Sequence, residues 1–445
     1  MTVVRALRAP PGNRLARSNR ARHNLRAIAA LVATVLVTLQ PVFCPVADAR
    51  TNDPALTARP YVVLVSLDGF RWDFPDRYDT PALHRLQREG ARAEALQPVF
   101  PTLTFPNHFS IATGVPPWRH GIVANEFPDD SRSRWYHYKD PESVGDGSWY
   151  LAEPVWVTAE KQGLVSAAYF FVGTEAPILG VQPTYWRPFR LGVSGEERVR
   201  QALQWLSMPP LERPHLVMLY FEQADDHTHW SGVGSRESES AIRDVDRYVG
   251  ELLAGIDRLP HGDQVYVIVV SDHGQANYRD SVEPLILDEV VDLSETRVVE
   301  GGPYVFVYLQ EEGGDRAADM RAAINSAWDC GRALLPEDTP PTWEVHDNPR
   351  FPDLIVQADP GCGVLSTRAA RGKITPGDHG WPPEFPDMRG IFFARGPGIR
   401  PGLQLPVLNV TDVAPLVRSL LGLQAPGTID DRARWLRRAL APQPN

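Results

Sequence analysis

The chain has 445 residues, of which 43% are hydrophobic and 22% are charged, and its formal net charge at pH 7 is −10. A chain of this length and composition can bury a large core, which excludes a disordered protein. The acidic balance argues against nucleic-acid polymers and anionic membranes as general partners, although bound metal ions would still attract a small anionic substrate.

The first 49 residues differ in composition from the rest of the chain. Seven arginines precede the apolar run from Ile28 to Leu39, and Ala47-Asp48-Ala49 follows it. A basic segment, an apolar segment and a small-residue cleavage site together form an export signal. We therefore predict a periplasmic or secreted protein, and loss of seven arginines and one aspartate would change its net charge from −10 to −16. An uncleaved membrane anchor and a nuclear-type basic patch are the alternatives.

Two cysteines, Cys330 and Cys362, remain after the signal, because Cys44 lies within it. Two cysteines in an exported protein predict one disulfide. The alternative is a pair of free, buried thiols.

Short β-branched runs alternate with helical patterns beyond residue 59, which is typical of a parallel sheet covered by helices. The predicted strands are Tyr61–Leu67, Gly163–Phe171, His215–Phe221, Gln264–Ser271, Pro303–Leu309 and Gly390–Ala394. The predicted helices are Thr80–Gly90, Phe105–Thr113, Glu196–Leu206, Ser235–Asp257, Arg316–Trp328 and Thr411–Leu421. We expect a linker at 50–58, one α/β domain at 59–430 with an inserted lobe at about 274–386, and a C-terminal tail at 431–445.

Acidic residues directly follow two of the predicted strands. Asp68 comes after the apolar run VVLVSL, and Asp272 and His273 come after VYVIVV; a glycine follows in both cases. Open α/β sheets place ligands at the carboxyl ends of their strands. A single such aspartate is explained equally well as a helix cap, but the repeated arrangement predicts metal ligands.

Three further side chains extend the candidate ligand set. Asp225 and His229 are four residues apart, so on a helix they share one face and can bind one ion. His227 is a competing ligand, although on a helix it would point elsewhere. His379 lies in the sequence Gly377-Asp378-His379-Gly380 and would supply the remaining imidazole of a two-metal site.

Thr104 is the candidate nucleophile. A threonine before a helix is ordinarily an N-cap, but here the helix start would also direct backbone N–H groups and its positive end to one spot. A metal ion could then ionise the hydroxyl. Asn125 is a candidate donor to a phosphate oxygen, with an ordinary turn asparagine as the alternative.

These residues together resemble the nucleotide pyrophosphatase/phosphodiesterase family of the alkaline phosphatase superfamily. The matching segments are VSLDGFRWD, PTLTFPNHFSIATGVPPWRHGIVANEF, EPVWVTAEKQG, GVQPTYW, LYFEQADDHTH, VVSDHG and GDHGWPPEFPDMRGIFFARGP. They span about residues 60–425. The resemblance implies an alkaline-phosphatase-like α/β fold, in which helices flank a central, mostly parallel sheet.

The resemblance also implies roles for individual residues. One Zn²⁺ would be bound by Asp68, Thr104, Asp272 and His273, and a second by Asp225, His229 and His379. Thr104 would form a covalent intermediate, Asn125 would donate to a phosphate oxygen, and Phe105 and Tyr220 would contact a base. Core packing is the alternative for both aromatic residues.

Four residues depart from the family's pattern without removing a metal ligand: Ala224, Thr228, Val233 and Trp381. The sequence therefore predicts hydrolysis more firmly than it predicts the identity of the substrate. We predict an exported dizinc phosphodiesterase or pyrophosphatase that acts on small nucleotide-type substrates and releases a nucleoside 5'-monophosphate. The alternatives are a lipid-type phosphodiesterase for glycerophosphocholine or a lysophospholipid, and an inactive ectodomain that binds a partner.

Overall fold

In the computed structural model, strand Tyr61–Leu67 lies in the interior of the main sheet. Every residue of this strand is buried, as its β-branched run requires. The structure describes residues 50–310, 315–345, 348–427 and 431–440. The predicted signal at 1–49 lies outside the described residues.

An eight-stranded sheet confirms the predicted fold class. Its strands, in spatial order, are Leu403–Leu405, Ala91–Ala93, Phe392–Arg395, Val265–Val270, Tyr61–Leu67, Leu216–Phe221, Ser166–Tyr169 and Tyr185–Arg187. Only Phe392–Arg395 runs antiparallel to its neighbours among these strands. The sheet is therefore central and mostly parallel.

Helices cover both faces of this sheet. Val62 and Leu64 belong to one apolar cluster, whereas Val63 and Val65 belong to another, as the alternation of side chains along a strand requires. The described α-helices are Phe74–Arg77, Pro81–Glu89, Thr104–Thr113, Pro117–His120, Pro141–Val144, Val155–Lys161, Gly195–Leu206, Gln223–Ser231, Arg236–Ile256, Arg316–Ala327, Val413–Leu421 and Asp431–Leu440.

A second sheet lies within the region predicted as an inserted lobe. Its antiparallel strands are, in order, Thr296–Glu300, Tyr304–Leu309, Leu354–Ala358 and Gly331–Leu334. The helix Arg316–Ala327 packs on it through Met320 and Ile324. The predicted Cys330–Cys362 disulfide is present in this region.

Short strands complete the described structure: Leu96–Gln97, Glu126–Asp129, Arg134–His137, Ala276–Asn277, Leu285–Ile286, Val364–Leu365, Gly377–Asp378 and Leu408–Asn409. At the C-terminal end, Leu436 and Leu440 of the last helix join the main apolar cluster. Within the described ranges, no helix combines the length and apolarity needed to cross a membrane.

Candidate metal centre

The carboxyl ends of three neighbouring parallel strands meet at one edge of the main sheet. The strand Tyr61–Leu67 pairs with Leu216–Phe221 on one side and with Val265–Val270 on the other. Asp68 directly follows its strand, Asp272 follows its strand after Ser271, and the third strand leads into the helix Gln223–Ser231. This topology brings together Asp68 and Asp272, which are 204 positions apart in sequence.

Asp68, Thr104, Asp272 and His273 form what we call the first ligand group. The Nε2 atom of His273 lies 3.1 Å from Oδ2 of Asp272 and 3.5 Å from Oδ1 of Asp68. It also lies 3.3 Å from Oγ1 of Thr104. The two aspartates and His273 are buried, whereas Thr104 is half-buried. The hydroxyl therefore stands at the accessible side of this group.

Asp225, His229 and His379 form the second ligand group. Nε2 of His229 lies 3.4 Å from Oδ2 of Asp225, and Nε2 of His379 lies 3.9 Å from Oδ1 of the same carboxylate. Asp225 and His229 face each other because they are one turn apart on the helix Gln223–Ser231. The third residue comes from the loop after the short strand Gly377–Asp378.

The two groups are contiguous. The rings of His273 and His379, one from each group, are stacked with centroids 3.7 Å apart. One ligand atom from each of Asp68, Asp225 and His273 also lies within 4.8 Å of the others. The two groups therefore form one continuous cluster of Asp and His side chains that could bind metal.

Hydrogen bonds to the far side of each imidazole fix its orientation. Nδ1 of His379 donates to the carbonyl of Thr102 at 2.8 Å, and Nδ1 of His273 lies 3.1 Å from the carbonyl of Gly274. Nδ1 of His229 lies 3.2 Å from the Thr375 hydroxyl. Each ring therefore turns its Nε2 atom toward the carboxylates, which is how metal-binding histidines are held.

The buried carboxylates carry negative charge that a bound cation would offset. Oδ1 of Asp68 is buried and has no hydrogen-bond partner among the described residues. Oδ2 of Asp272 is buried and lies 3.1 Å from Nε2 of His273 and from Nδ1 of His108. Burial raises the pKa of Asp68 well above its ordinary value, and the charges of Asp272 and Asp225 raise it further. Carboxylate and imidazole donors in this number suit zinc-like ions.

Thr104 is the first residue of the helix Thr104–Thr113, and Leu103 occupies the N-cap position. The hydroxyl is therefore not used as a cap, which was the alternative explanation for this threonine. The helix start was expected to direct several free backbone N–H groups to one spot near Thr104. Two of them are not available, because the Phe105 N–H donates to Oδ1 of Asn125 at 3.0 Å and Pro106 has no N–H. Asn125 keeps its NH₂ group as a donor beside Thr104.

Tyr220 contacts a ligand carboxylate rather than only lining a pocket. Its hydroxyl donates to Oδ2 of Asp68 at 2.5 Å, and the residue is 8% exposed. The ring also packs against Phe189, with centroids 6.2 Å apart. Phe189 is 43% exposed. It lies in an irregular loop that contains proline and arginine, so the sequence gave no signal that its ring would pack against Tyr220. Phe105 is half-buried and packs edge-on against Tyr138.

Other residues that support the ligands were not identified from the sequence. The side-chain amide of Gln275 donates to Oδ1 of Asp225, and Asp378 lies 3.7 Å from Nδ1 of His229. Gly69 has a φ of +63°, and a Cβ at this position would lie 2.7 Å from Oδ1 of Asp225. Glycine is required here because both the backbone conformation and the space exclude a side chain.

Known proteins are similar to this chain along most of its length. The family model for type I phosphodiesterase/nucleotide pyrophosphatase matches residues 62–382. The human ectonucleotide pyrophosphatase/phosphodiesterase family member 5 is 32% identical over 82% of this chain and 75% of its own length. The human bis(5'-adenosyl)-triphosphatase ENPP4 is 31% identical over 84% of this chain and 80% of its own length.

A solved structure extends the similarity to the fold. The murine ectonucleotide pyrophosphatase/phosphodiesterase 5, in an inactive form in complex with AMP, superposes with a TM-score of 0.79 at 28% identity. The match covers 86% of this chain and 100% of the murine chain.

Proposed function

The chain belongs to the type I phosphodiesterase/nucleotide pyrophosphatase family, and we propose that this hydrolase uses two zinc ions to release a nucleoside 5'-monophosphate from nucleotide-type phosphodiesters or pyrophosphates. One observation carries the proposal: the half-buried Thr104 hydroxyl stands 3.3 Å from Nε2 of His273, beside two contiguous Asp/His groups. Metal-assisted phosphoryl transfer requires this combination of nucleophile and ligands.

The first ligand group would hold one zinc ion, and the second would hold the other. The ions, when bound, lower the pKa of the Thr104 hydroxyl and offset the charge that develops on the phosphoryl group. The Thr104 oxygen then attacks phosphorus while the bond to the leaving group breaks. Water subsequently attacks the same phosphorus atom, which frees Thr104 and the nucleoside monophosphate.

Asn125 is proposed to bind a non-bridging phosphate oxygen. Its Oδ1 atom is held by the Phe105 N–H, so the orientation of the amide plane is set before substrate binds. A donor that is positioned in advance stabilises the developing charge without reorganisation. The NH₂ group is the part of Asn125 that would make this contact.

An exposed aromatic surface near the ligands supports a nucleotide substrate. Phe105 follows the nucleophile directly, and Phe189 offers a 43% exposed ring that packs on Tyr220. Such rings can stack on a base. A base contact by Tyr220 stays a prediction. The AMP bound to the murine relative and the adenosyl substrate in the name of the human one support the same class for this chain.

Trp230 favours a second candidate, a lipid-type diester such as glycerophosphocholine or a lysophospholipid. This indole is 77% exposed and directly follows the ligand residue His229. An exposed aromatic ring can bind either a quaternary ammonium group or an acyl chain. A partner-binding protein without catalysis has less support, because the ligand residues are all present and close together.

The two substrate classes can be separated by comparing kcat/KM for p-nitrophenyl thymidine 5'-monophosphate, glycerophosphocholine and lysophosphatidylcholine. The nucleotide ester should be hydrolysed fastest, and EDTA should abolish its hydrolysis. Phe189→Ala should lower kcat/KM for the nucleotide ester roughly tenfold, with Leu191→Ala as the control because Leu191 is also exposed. Faster hydrolysis of either choline substrate would overturn the nucleotide assignment.

Export and domain limits are proposed on the sequence alone. Residues 1–49 would act as a cleaved signal and residues 59–430 as the catalytic domain with its lobe at about 274–386. Residues 431–445 would be a C-terminal segment, of which the helix Asp431–Leu440 packs on the domain through Leu436 and Leu440. N-terminal sequencing of the exported protein should begin at Arg50. A start at Met1 would indicate an uncleaved segment.

A further inference from the structure

His108 lies one helical turn after Thr104 on the helix Thr104–Thr113. It is not a member of either ligand group defined above, although one of its ring nitrogens lies within 4.8 Å of carboxylate oxygens of Asp68 and Asp272. Its side chain is fully buried, and its ring packs edge-on against Tyr220 with centroids 5.2 Å apart. A buried imidazole needs hydrogen-bond partners for both of its nitrogen atoms. The partners of His108 come from three different segments of the site.

Nδ1 of His108 connects the nucleophile to the first ligand group. Its N–H donates to the backbone carbonyl of Thr104 at 2.9 Å, and the same nitrogen lies 3.1 Å from Oδ2 of Asp272. The same carboxylate oxygen lies 3.1 Å from Nε2 of His273 as well. The N–H side of the His108 ring therefore faces both the Thr104 carbonyl and the Asp272 carboxylate.

Nε2 of His108 connects to the central strand. It lies 2.8 Å from the hydroxyl of Ser66, which is two residues before Asp68 on the strand Tyr61–Leu67. Because Nδ1 carries the proton that binds the Thr104 carbonyl, Nε2 is the acceptor and Ser66 is the donor. The Ser66 hydroxyl thus selects the tautomer that presents N–H toward Thr104 and Asp272.

We propose that His108 is a positioning residue, which holds the Thr104 backbone and the Asp272 carboxylate at the distance that the first ligand group requires. This inference rests on the proposed function for its effect on catalysis. The imidazole ties together the strand that precedes Asp68, the helix that begins at Thr104 and the turn that contains Asp272. It touches neither the substrate nor the reacting atoms.

The test combines zinc binding with kinetics for His108→Leu and His108→Asn. The leucine variant removes both nitrogen contacts, whereas asparagine can place a side-chain N–H near the original Nδ1 position. For His108→Leu we expect zinc affinity of the metal-free protein to weaken about 10–100-fold at one of two sites. kcat should fall about 10–100-fold, with KM changed by less than about threefold. His108→Asn should recover most of both losses.

His120→Leu is the matched control. His120 is also fully buried, lies 3.0 Å from a serine hydroxyl through Nε2, and accepts a backbone hydrogen bond through Nδ1. Its described polar contacts are with Ser110, Ile122 and the backbone of Pro106, none of which belongs to either ligand group. Its removal should lower the unfolding temperature without weakening zinc binding.

Two results would overturn the positioning role: equal zinc affinity and kcat in His108→Leu and His120→Leu, or no recovery in His108→Asn. Should His108→Leu fail to fold, His108→Asn and Ser66→Ala decide the question, with Ser66→Ala expected to weaken zinc binding less than about tenfold. Unchanged zinc affinity in both would contradict the proposal. If the wild type binds zinc but hydrolyses no phosphodiester, the proposed function fails, and zinc affinity still decides the role of His108.

Discussion

The Tyr220 hydroxyl donates a 2.5 Å hydrogen bond to Oδ2 of Asp68, while Oδ1 of the same carboxylate is buried without a hydrogen-bond partner. One oxygen is thereby fixed by the neighbouring strand, and the other is left for a cation. If Asp68 binds an ion as proposed, its orientation depends on a residue that does not itself coordinate that ion.

Tyr220→Phe should therefore weaken zinc binding about tenfold, because Asp68 loses the donor that orients it. Calorimetric titration of zinc into metal-free protein measures this change. If zinc affinity is unchanged while selectivity among nucleotide bases is lost, Tyr220 acts on the substrate by stacking, as the sequence resemblance implied.

Asn125→Ala should lower kcat about 10²–10³-fold, because the mutant lacks the donor to the charged phosphate oxygen. Steady-state hydrolysis of p-nitrophenyl thymidine 5'-monophosphate gives kcat and KM separately. Thermal unfolding of the same variant controls for damage to the helix start, where the Phe105 N–H loses its acceptor. A loss confined to KM would assign Asn125 to ground-state binding instead.

Stability should fall with acidity because of His120. Burial lowers the pKa of this imidazole from 6.5 to about 3. The unfolded chain therefore binds a proton between these pH values while the folded chain does not, so the free energy of unfolding decreases as the pH falls below 6.5. The expected contribution between pH 7 and pH 5 is about 2 kcal/mol.

Denaturant unfolding in EDTA at both pH values tests this expectation for the wild type and His120→Gln. The chelator removes the separate pH dependence of metal binding. The difference in unfolding free energy between pH 7 and pH 5 should be about 2 kcal/mol smaller in the variant. Identical pH dependence in the two proteins would show that His120 is protonated without penalty in the folded state.

The main sheet and the edge with the candidate ligands were predictable because short stretches of sequence indicate them. The runs before Asp68 and Asp272 are continuous and β-branched, and each ends in an aspartate and a turn. The strand Tyr61–Leu67 was predicted with its observed bounds, and the other predicted boundaries lie within three residues of the observed ones. Helix Thr104–Thr113 begins one residue earlier than predicted, which turns Thr104 from a candidate cap into the first helical residue.

The contacts that support the ligands were not predictable because they depend on tertiary register. Tyr220 reaches Asp68 because it pairs with Ser66 across neighbouring strands. Gln275 reaches Asp225 across 50 residues of sequence. Within the second sheet, Leu354–Ala358 and Gly331–Leu334 are short strands without a clear alternating pattern, so only Tyr304–Leu309 was predicted.

The central claim is that Thr104 is the nucleophile of a metal-dependent phosphodiesterase, and the rate of p-nitrophenol release by zinc-loaded Thr104→Ala tests it most directly. Thr113→Ala is the matched control, because Thr113 ends the same helix and its hydroxyl donates only to the Phe109 carbonyl. We expect Thr113→Ala to keep wild-type turnover of p-nitrophenyl thymidine 5'-monophosphate and Thr104→Ala to lose at least about 10³-fold. Wild-type turnover by Thr104→Ala would contradict the account.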